Sequence, residues 1–118
     1  MTLIQNKVNT VFIPVKDVYK AKEWYSKNLG KEGEIIHGHL CILDMEGTGV
    51  VLDEMPAWRN EVGEFIPFSA PYVQFTTSDI HASYLYLKEN GVELVTGIEH
   101  GHYFVFKDLD GNMLMVCQ

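Results

Sequence analysis

Residues 106–118 read FKDLDGNMLMVCQ, and this stretch decides how the chain folds. An apolar run leads into Asp-Leu-Asp-Gly-Asn, and a second apolar run follows it. Asp and Asn side chains form hydrogen bonds to the backbone of tight turns, and Gly111 can adopt a positive φ without steric cost. The pattern predicts a hairpin that joins two buried strands.

A weaker copy of this hairpin lies earlier in the chain, where residues 43–52 read LDMEGTGVVL. Asp44 and Gly47 precede Asp108 and Gly111 by the same 64 positions. Other parts of the chain repeat at almost the same offset: Thr10 with Tyr72, Asp17 with Asp79 and Val18 with Ile80 at 62, and two His-Gly-His segments (37–39 and 100–102) at 63. The sequence therefore predicts one βαβββ unit written twice.

Hydrophobic periodicity gives the elements of each unit. Asp17 and Asp79 are placed as N-caps of two amphipathic helices, which Gly30 and Gly91 end. The predicted helices are 18–29 and 80–90, and the predicted strands are 8–15, 33–37, 39–43, 49–53, 71–77, 92–95, 102–107 and 112–117. We expect a single α+β domain over 1–118, with modules at about 1–54 and 70–118 joined by the loop 55–69.

Composition excludes several classes of function. The formal net charge of −7 disfavours nucleic acid and anionic membranes as partners. No apolar run approaches the length of a membrane span, and the start of the chain does not resemble a signal peptide. Cys41 and Cys117 have no CxxC spacing, which favours free thiols in a reducing compartment. We therefore expect a cytoplasmic protein.

The paired βαβββ pattern resembles the vicinal oxygen chelate superfamily, which includes glyoxalase I, extradiol dioxygenases and fosfomycin- and bleomycin-resistance proteins. The residues that carry the resemblance are Val15-Lys16-Asp17-Val18, Trp24-Tyr25, Leu29-Gly30, Ser78-Asp79-Ile80, Gly91-Val92 and Asp108 to Asn112. The resemblance implies a glyoxalase/bleomycin-resistance-like curved sheet around a cleft. It also implies a homodimer, whose cleft the partner sometimes completes.

The resemblance also locates the positions that hold a divalent metal in the metal-dependent members. They are Thr10, Val51, Tyr72 and Met115 in this sequence. None is a conventional ligand for a hard or borderline cation. A shift of two residues along the strand brings in only a single carboxylate, Asp53. We expect no metal and no other cofactor.

Strand alternation assigns side chains to the cleft. It places Thr10, Phe12, Tyr72 and Gln74 there, and counting back across the final turn pairs Phe104 with Met115 and His102 with Cys117. The expected ligand-binding residues are Thr10, Phe12, Val51, Asp53, Trp58, Tyr72, Gln74, Phe104 and Met115. Such a wall suits an apolar or aromatic small molecule; alternatively, these side chains fill a core between the modules. Trp58 is either part of a lid or a packing anchor.

The two His-Gly-His segments have two interpretations. An i, i+2 pair on a strand points one way, so His37/His39 or His100/His102 could chelate a metal. Histidines beside glycine at strand ends are more often exposed and inert. His102 is the best candidate for a general acid or base, because its pKa lies nearest neutrality.

Three functions follow from these features. The first is a metal-free small-molecule binding protein of the sequestration or resistance type. The second is a metal-dependent lyase, isomerase or dioxygenase with a displaced metal site at His102, His100 or Asp53. The third is a structural or regulatory module whose cleft is filled.

Overall fold

The computed structural model describes residues 2–55 and 62–118. It contains seven strands and two helices among these residues. In chain order they are β1 (Thr10–Pro14), α1 (Val18–Leu29), β2 (Gly33–Ile36), β3 (Leu40–Leu43), β4 (Gly49–Asp53), β5 (Gln74–Thr76), α2 (Ile80–Glu89), β6 (Tyr103–Lys107) and β7 (Met113–Cys117).

The strands form two small sheets, which confirms the predicted α+β class. The first sheet has the order β1-β4-β3-β2, and the second has the order β5-β7-β6. The opening strand of each unit pairs in parallel with its closing strand, β1 with β4 and β5 with β7. All other strand pairs described are antiparallel. Both sheets thus place the closing strand between the opening strand and an antiparallel neighbour.

The prediction of a strand at residues 92–95 is wrong. This segment forms only an isolated bridge, between Leu94 and Phe106. The carbonyl of Val105 accepts from the backbone N–H of both Val95 and Thr96, so the ladder bulges and stops there. The second sheet therefore has three strands where the first has four.

Both helices begin where their capping residues place them. The Asp17 carboxylate accepts from the N–H groups of Tyr19 and Lys20, and Asp79 accepts from Ala82. The first N–H of each helix is satisfied by a side chain that follows the closing strand: Glu54 for Val18, and Gln118 for Ile80. Neither described helix is long and apolar enough to cross a membrane.

The core lies between the helices and the sheet faces that they cover. The buried helix residues in this core are Val18, Ala21 and Tyr25 in α1, and Ile80 and Leu87 in α2. Alternate strand residues pack against them, and the buried side chains of both units form one hydrophobic cluster. Hydrophobic burial of this kind is the main stabilising contribution to the fold.

A buried polar network connects the two units at the final hairpin. The Tyr25 hydroxyl of α1 donates to the Asp108 carboxylate, which also accepts from the Asn112 side chain. The Asn112 amide in turn donates to the carbonyl of Pro14, at the end of β1. Burial and the neighbouring Asp108 charge raise the pKa of Tyr25 well above its usual value. Tyr25 therefore stays protonated and keeps donating.

Replacing Tyr25 by Phe removes this donor from a buried carboxylate. We expect Tyr25→Phe to lower the free energy of unfolding by about 2 kcal/mol, measured by urea denaturation. Tyr86→Phe is the matched control, because its hydroxyl donates to the Lys27 carbonyl in an exposed bond and should cost well under about 1 kcal/mol. Equal losses in the two variants would contradict the role of the network.

Asp110, in the same hairpin, makes the stability of the fold depend on pH. Burial raises the pKa of its carboxyl above 3.8, and Asp108 adds to the shift, although the N–H of Lys16 donates to it. A raised folded-state pKa gives stability that is present below 3.8 and is lost as the pH rises through the folded pKa. The difference between the melting temperatures of Asp110→Asn and the parent should therefore shift in favour of Asp110→Asn as the pH rises from about 4 to 7. A pH-independent difference would contradict this.

Candidate functional site

The face of the first sheet that points away from α1 is partly open, and we call it the first open face. Phe12 of β1 pairs with Val51 of β4, which pairs with Ile42 of β3. Phe12 is 52% exposed and Ile42 44% exposed. Phe12 and Ile42 thus present apolar side chains to solvent on either side of the buried Val51. Exposed apolar patches often mark binding sites.

A cavity of about 430 Å³ lies at one end of this face. Its lining residues are Phe12, Pro14, Asp53, Ile66 and Phe68. Asp53 is buried, and one of its carboxylate oxygens accepts from the N–H of Met55 at 2.8 Å. The cavity therefore has aromatic and aliphatic walls with one carboxylate.

The sequence pattern did not point to Ile66 and Phe68, because Trp58 was the one residue of the linker 55–69 that it assigned to the site. Phe68 is held by its backbone: its N–H donates to Asn112 Oδ1 at 2.7 Å, and its carbonyl accepts from Met113 at 3.0 Å. Its ring packs edge-on against Tyr72, with the centroids 5.2 Å apart. The apolar run Phe65-Ile66-Pro67-Phe68 was the signal in the sequence. Trp58, in the same linker, lies outside the described residues.

The second open face is the side of the second sheet that points away from α2. Gln74 of β5 pairs with Met115 of β7, and its Nε2 donates to the Met115 thioether at 3.0 Å. Val105 pairs with Met115 from the other side. Tyr72, just before β5, is 68% exposed. The predicted residues Tyr72, Gln74 and Met115 therefore do lie together.

The predicted pairing of Phe104 with Met115 is wrong. Asp108 N donates to the Asn112 carbonyl, so the hairpin has a three-residue loop. Phe104 consequently pairs with Val116, and its side chain is fully buried in the core, edge-on to Tyr84. A shift of one residue moves a strand side chain to the opposite face, which removes Phe104 from the candidate site.

The same shift changes the position of His102. Tyr103, not His102, is paired with Cys117. His102 lies in a turn before β6, and it is exposed. The prediction that His102 shares a face with Cys117 through strand pairing is therefore wrong.

Comparison with known proteins identifies the family. Residues 7–116 match the model of the glyoxalase/bleomycin resistance protein/dioxygenase superfamily. The chain belongs to this superfamily. No curated protein sequence matches it.

Solved structures from this superfamily have the same fold. A member from Sphaerobacter thermophilus is 25% identical, with a TM-score of 0.77 and coverage of 98% of each chain. An antibiotic-binding protein from a Streptomyces species is 25% identical, with a TM-score of 0.75 and coverage of 100% of this chain and 98% of that one. A lactoylglutathione lyase from Agrobacterium tumefaciens, 14% identical, has a TM-score of 0.72 and covers 96% of this chain and 93% of its own.

The four positions to which the resemblance assigns the metal ligands, Thr10, Val51, Tyr72 and Met115, offer few donor atoms for a cation here. Val51 has no donor atom, and the Met115 sulfur already accepts from Gln74. The Thr10 hydroxyl donates to Asn9 Oδ1 at 2.6 Å. Tyr72 offers a phenol hydroxyl, which is not among the usual protein ligands of these cations. This set of donors does not fit a divalent cation.

The His-Gly-His segments form turns, so their histidines do not lie on strands, as the chelating interpretation had assumed. His37 and Gly38 have φ of 53° and 73°, and His100 and Gly101 have 51° and 71°. The N–H of His39 donates to Ile36 O, and that of His102 to Glu99 O. Positive φ at both central residues is the requirement of a type I′ turn. Among residues 2–55 and 62–118, no group of three or more His, Cys, Asp or Glu could hold a metal.

Substitutions at His37 and His100 test whether these residues are needed for the turn conformation or for metal binding. Asn tolerates positive φ well, so His37→Asn and His100→Asn should keep or raise the free energy of unfolding. His100→Val places a β-branched residue at the same φ and should lose about 1–2 kcal/mol, measured by urea denaturation. A zinc-dependent rise in melting temperature that His100→Asn abolishes would contradict the turn assignment.

Proposed function

We propose that this protein binds an apolar or aromatic small molecule without a metal, as a sequestration or resistance protein. The observation that carries the proposal is the cavity on the first open face, where Phe12 and Phe68 supply aromatic walls. Ligand sites of this type are concave and largely apolar, with few polar groups. The four unsuitable residues at the family's metal positions support binding without a metal.

The similarity to the Streptomyces antibiotic-binding protein supports the class of ligand. We infer that the ligand is an aromatic natural product of antibiotic type. Phe12, Val51 and Met115 would contact its apolar body. The Gln74 amide, which donates to a thioether, would turn to the ligand, because sulfur is a weak acceptor. Thr10, Tyr72 and Asp53 would supply further polar contacts, and the role of Trp58 stays a prediction.

We also infer that two copies of the chain form the complete cleft. Among the described residues, no strand of the first sheet pairs with a strand of the second. The cavity on the first open face is lined by β1, β4 and the linker, and by no strand of the second sheet. A homodimer would place the second open face of one copy over the first open face of the other. This arrangement buries Phe12, Ile42 and Tyr72, whose exposure is otherwise unfavourable.

The enzymatic alternative gains no specific support. His100 and His102 share one exposed turn of the second unit, whereas Asp53 is buried in the first sheet. They do not converge within one chain. For localisation, we propose the cytoplasm, because Cys41 and Cys117 are free and Cys41 is fully buried.

Phe12→Ala should weaken the binding of aromatic antibiotics at least tenfold, because it removes one wall of the cavity. The measurement is fluorescence titration of the purified protein with a panel that includes an anthracycline, a quinolone and bleomycin. Size-exclusion chromatography with light scattering should give a mass of about 2 × 13.5 kDa, or 27 kDa, before and after ligand addition.

Tyr19→Ala is the matched control, since this exposed aromatic side chain on α1 lies outside both open faces. It should leave affinity unchanged. Equal affinity of the parent and Phe12→Ala for every compound that binds would overturn the site. A monomer that binds with full affinity would overturn the composite cleft.

A further inference from the structure

The basic residues of this acidic protein are concentrated on one helix. Five of the nine Lys and Arg residues lie in α1 or directly beside it. They are Lys16, Lys20, Lys22, Lys27 and Lys31. With the two carboxylates of the same stretch, residues 16–31 carry +5 − 2 = +3, and the remaining residues carry +4 − 14 = −10. The helix α1 is therefore a positive element in a protein whose formal net charge is −7.

An open depression of about 820 Å³ lies over the outer face of α1. Lys20, Trp24 and Lys27 stand at i, i+4 and i+7, so they share one side of the helix, with Trp24 between the two lysines along its axis. Leu109 of the final hairpin borders the same depression and is 48% exposed. We call the surface made by these four residues the basic face.

The lysines of the basic face have no ionic partner in the described part of the chain. Among residues 2–55 and 62–118, the one ion pair joins Lys107 to Glu93 at 3.2 Å. Three lysines line the depression against one described carboxylate, that of Glu23, so the depression carries +3 − 1 = +2. An anionic partner would therefore gain Coulomb attraction here without breaking an existing ion pair.

The internal repeat indicates that the fold does not need these lysines. At the offset of 62 positions, the residues of α2 that correspond to Lys20, Trp24 and Lys27 are Ala82, Tyr86 and Glu89. Both helices begin at a capping aspartate and bury one side in the common core. Because α2 forms without positive charge at these positions, the charge on α1 has no role in building the repeated unit.

We propose that the basic face docks an acidic segment of a partner protein, in which carboxylates flank an apolar side chain. The carboxylates would pair with Lys20 and Lys27, which seven residues of helix place about 10 Å apart along the axis. The apolar side chain would pack on Trp24 and Leu109, since tryptophan is enriched among the residues that contribute most to binding at protein interfaces.

The charge of the other residues favours a short acidic segment over a long polyanion. Nucleic acid or an anionic membrane would extend past the basic face and meet the charge of −10 on the rest of the protein. At physiological salt, charges are screened beyond about 8 Å. A segment no larger than the basic face would therefore interact mainly with its lysines.

The basic face is independent of the proposed function. The first open face points away from α1, and none of the residues that line its cavity borders the depression on α1. Closing the cleft with a second copy of the chain would leave the outer face of α1 exposed. Its test can therefore fail or succeed whatever the small-molecule titrations show.

Three acetylated and amidated hexapeptides serve as probes: Glu-Glu-Phe-Leu-Glu-Glu, its Gln analogue and its Lys analogue. Each spans about 17 Å when extended, which is enough to reach both lysines. We expect the acidic peptide to bind the full-length protein about tenfold more tightly than the Gln peptide, because one exposed ion pair contributes up to about fivefold. The measurement is an NMR titration, with shifts centred on Lys20, Trp24, Lys27 and Leu109 that weaken as salt is added.

Reversing the charge of the basic face separates a local effect from the overall charge. Lys20→Glu/Lys27→Glu should abolish binding of the acidic peptide and create binding of the Lys peptide. Lys7→Glu/Lys88→Glu is the matched control, because both of its lysines are exposed and lie outside the depression. Each double variant has the same net charge, −7 − 4 = −11, but the control should keep the tenfold preference.

Lys20→Gln/Lys27→Gln should also lose the preference, and it tests the basic face even where the repulsion of new glutamates by Glu23 unfolds α1. The proposal is overturned where the acidic peptide causes no shifts at the basic face, where the Gln peptide binds equally, or where the control loses as much affinity as the charge reversal. Tighter binding of poly(U) or of phosphatidylserine vesicles than of the acidic peptide would also overturn it and would assign the basic face to a polyanion.

Discussion

The rest of the structure depends on the hydrogen bonds that the buried Asp108 carboxylate accepts. This carboxylate accepts from the Tyr25 hydroxyl, from the N–H groups of Asp110 and Asn112, and from the Asn112 side chain. A buried charge is costly unless donors surround it, and these four donors come from the hairpin itself and from α1. Asn112 then holds the Pro14 carbonyl and the Phe68 N–H. One carboxylate thereby fixes the hairpin, the linker and the first sheet together.

This network also shapes the first open face. By holding Phe68, it fixes an aromatic wall of the cavity that Phe12 also lines.

Much of the fold could be predicted from the sequence because its signals are local. The Asp17 and Asp79 side chains cap the first turns of α1 and α2, and the positive φ of Gly30 ends α1. Each of these effects involves residues only a few positions apart. The strand register was harder, because it depends on whether the last loop has two or three residues, and an error of one residue moved Phe104 from the core to the cleft. The hydrogen bonds of Phe68 to Asn112 and Met113 arise from contacts distant in sequence. The histidine repeat marks two turns with positive φ, a backbone conformation that the strand pattern did not predict.

The central claim is that two copies of this chain bind an organic ligand without a metal. Elemental mass spectrometry of untagged protein, purified without chelator and then incubated with divalent ions, tests it most directly. We expect no transition metal in stoichiometric amount before or after incubation, since the residues at Thr10, Val51, Tyr72 and Met115 do not form a cation site. About one zinc, iron, manganese, nickel or copper ion per chain would contradict the claim and favour a metal-dependent enzyme.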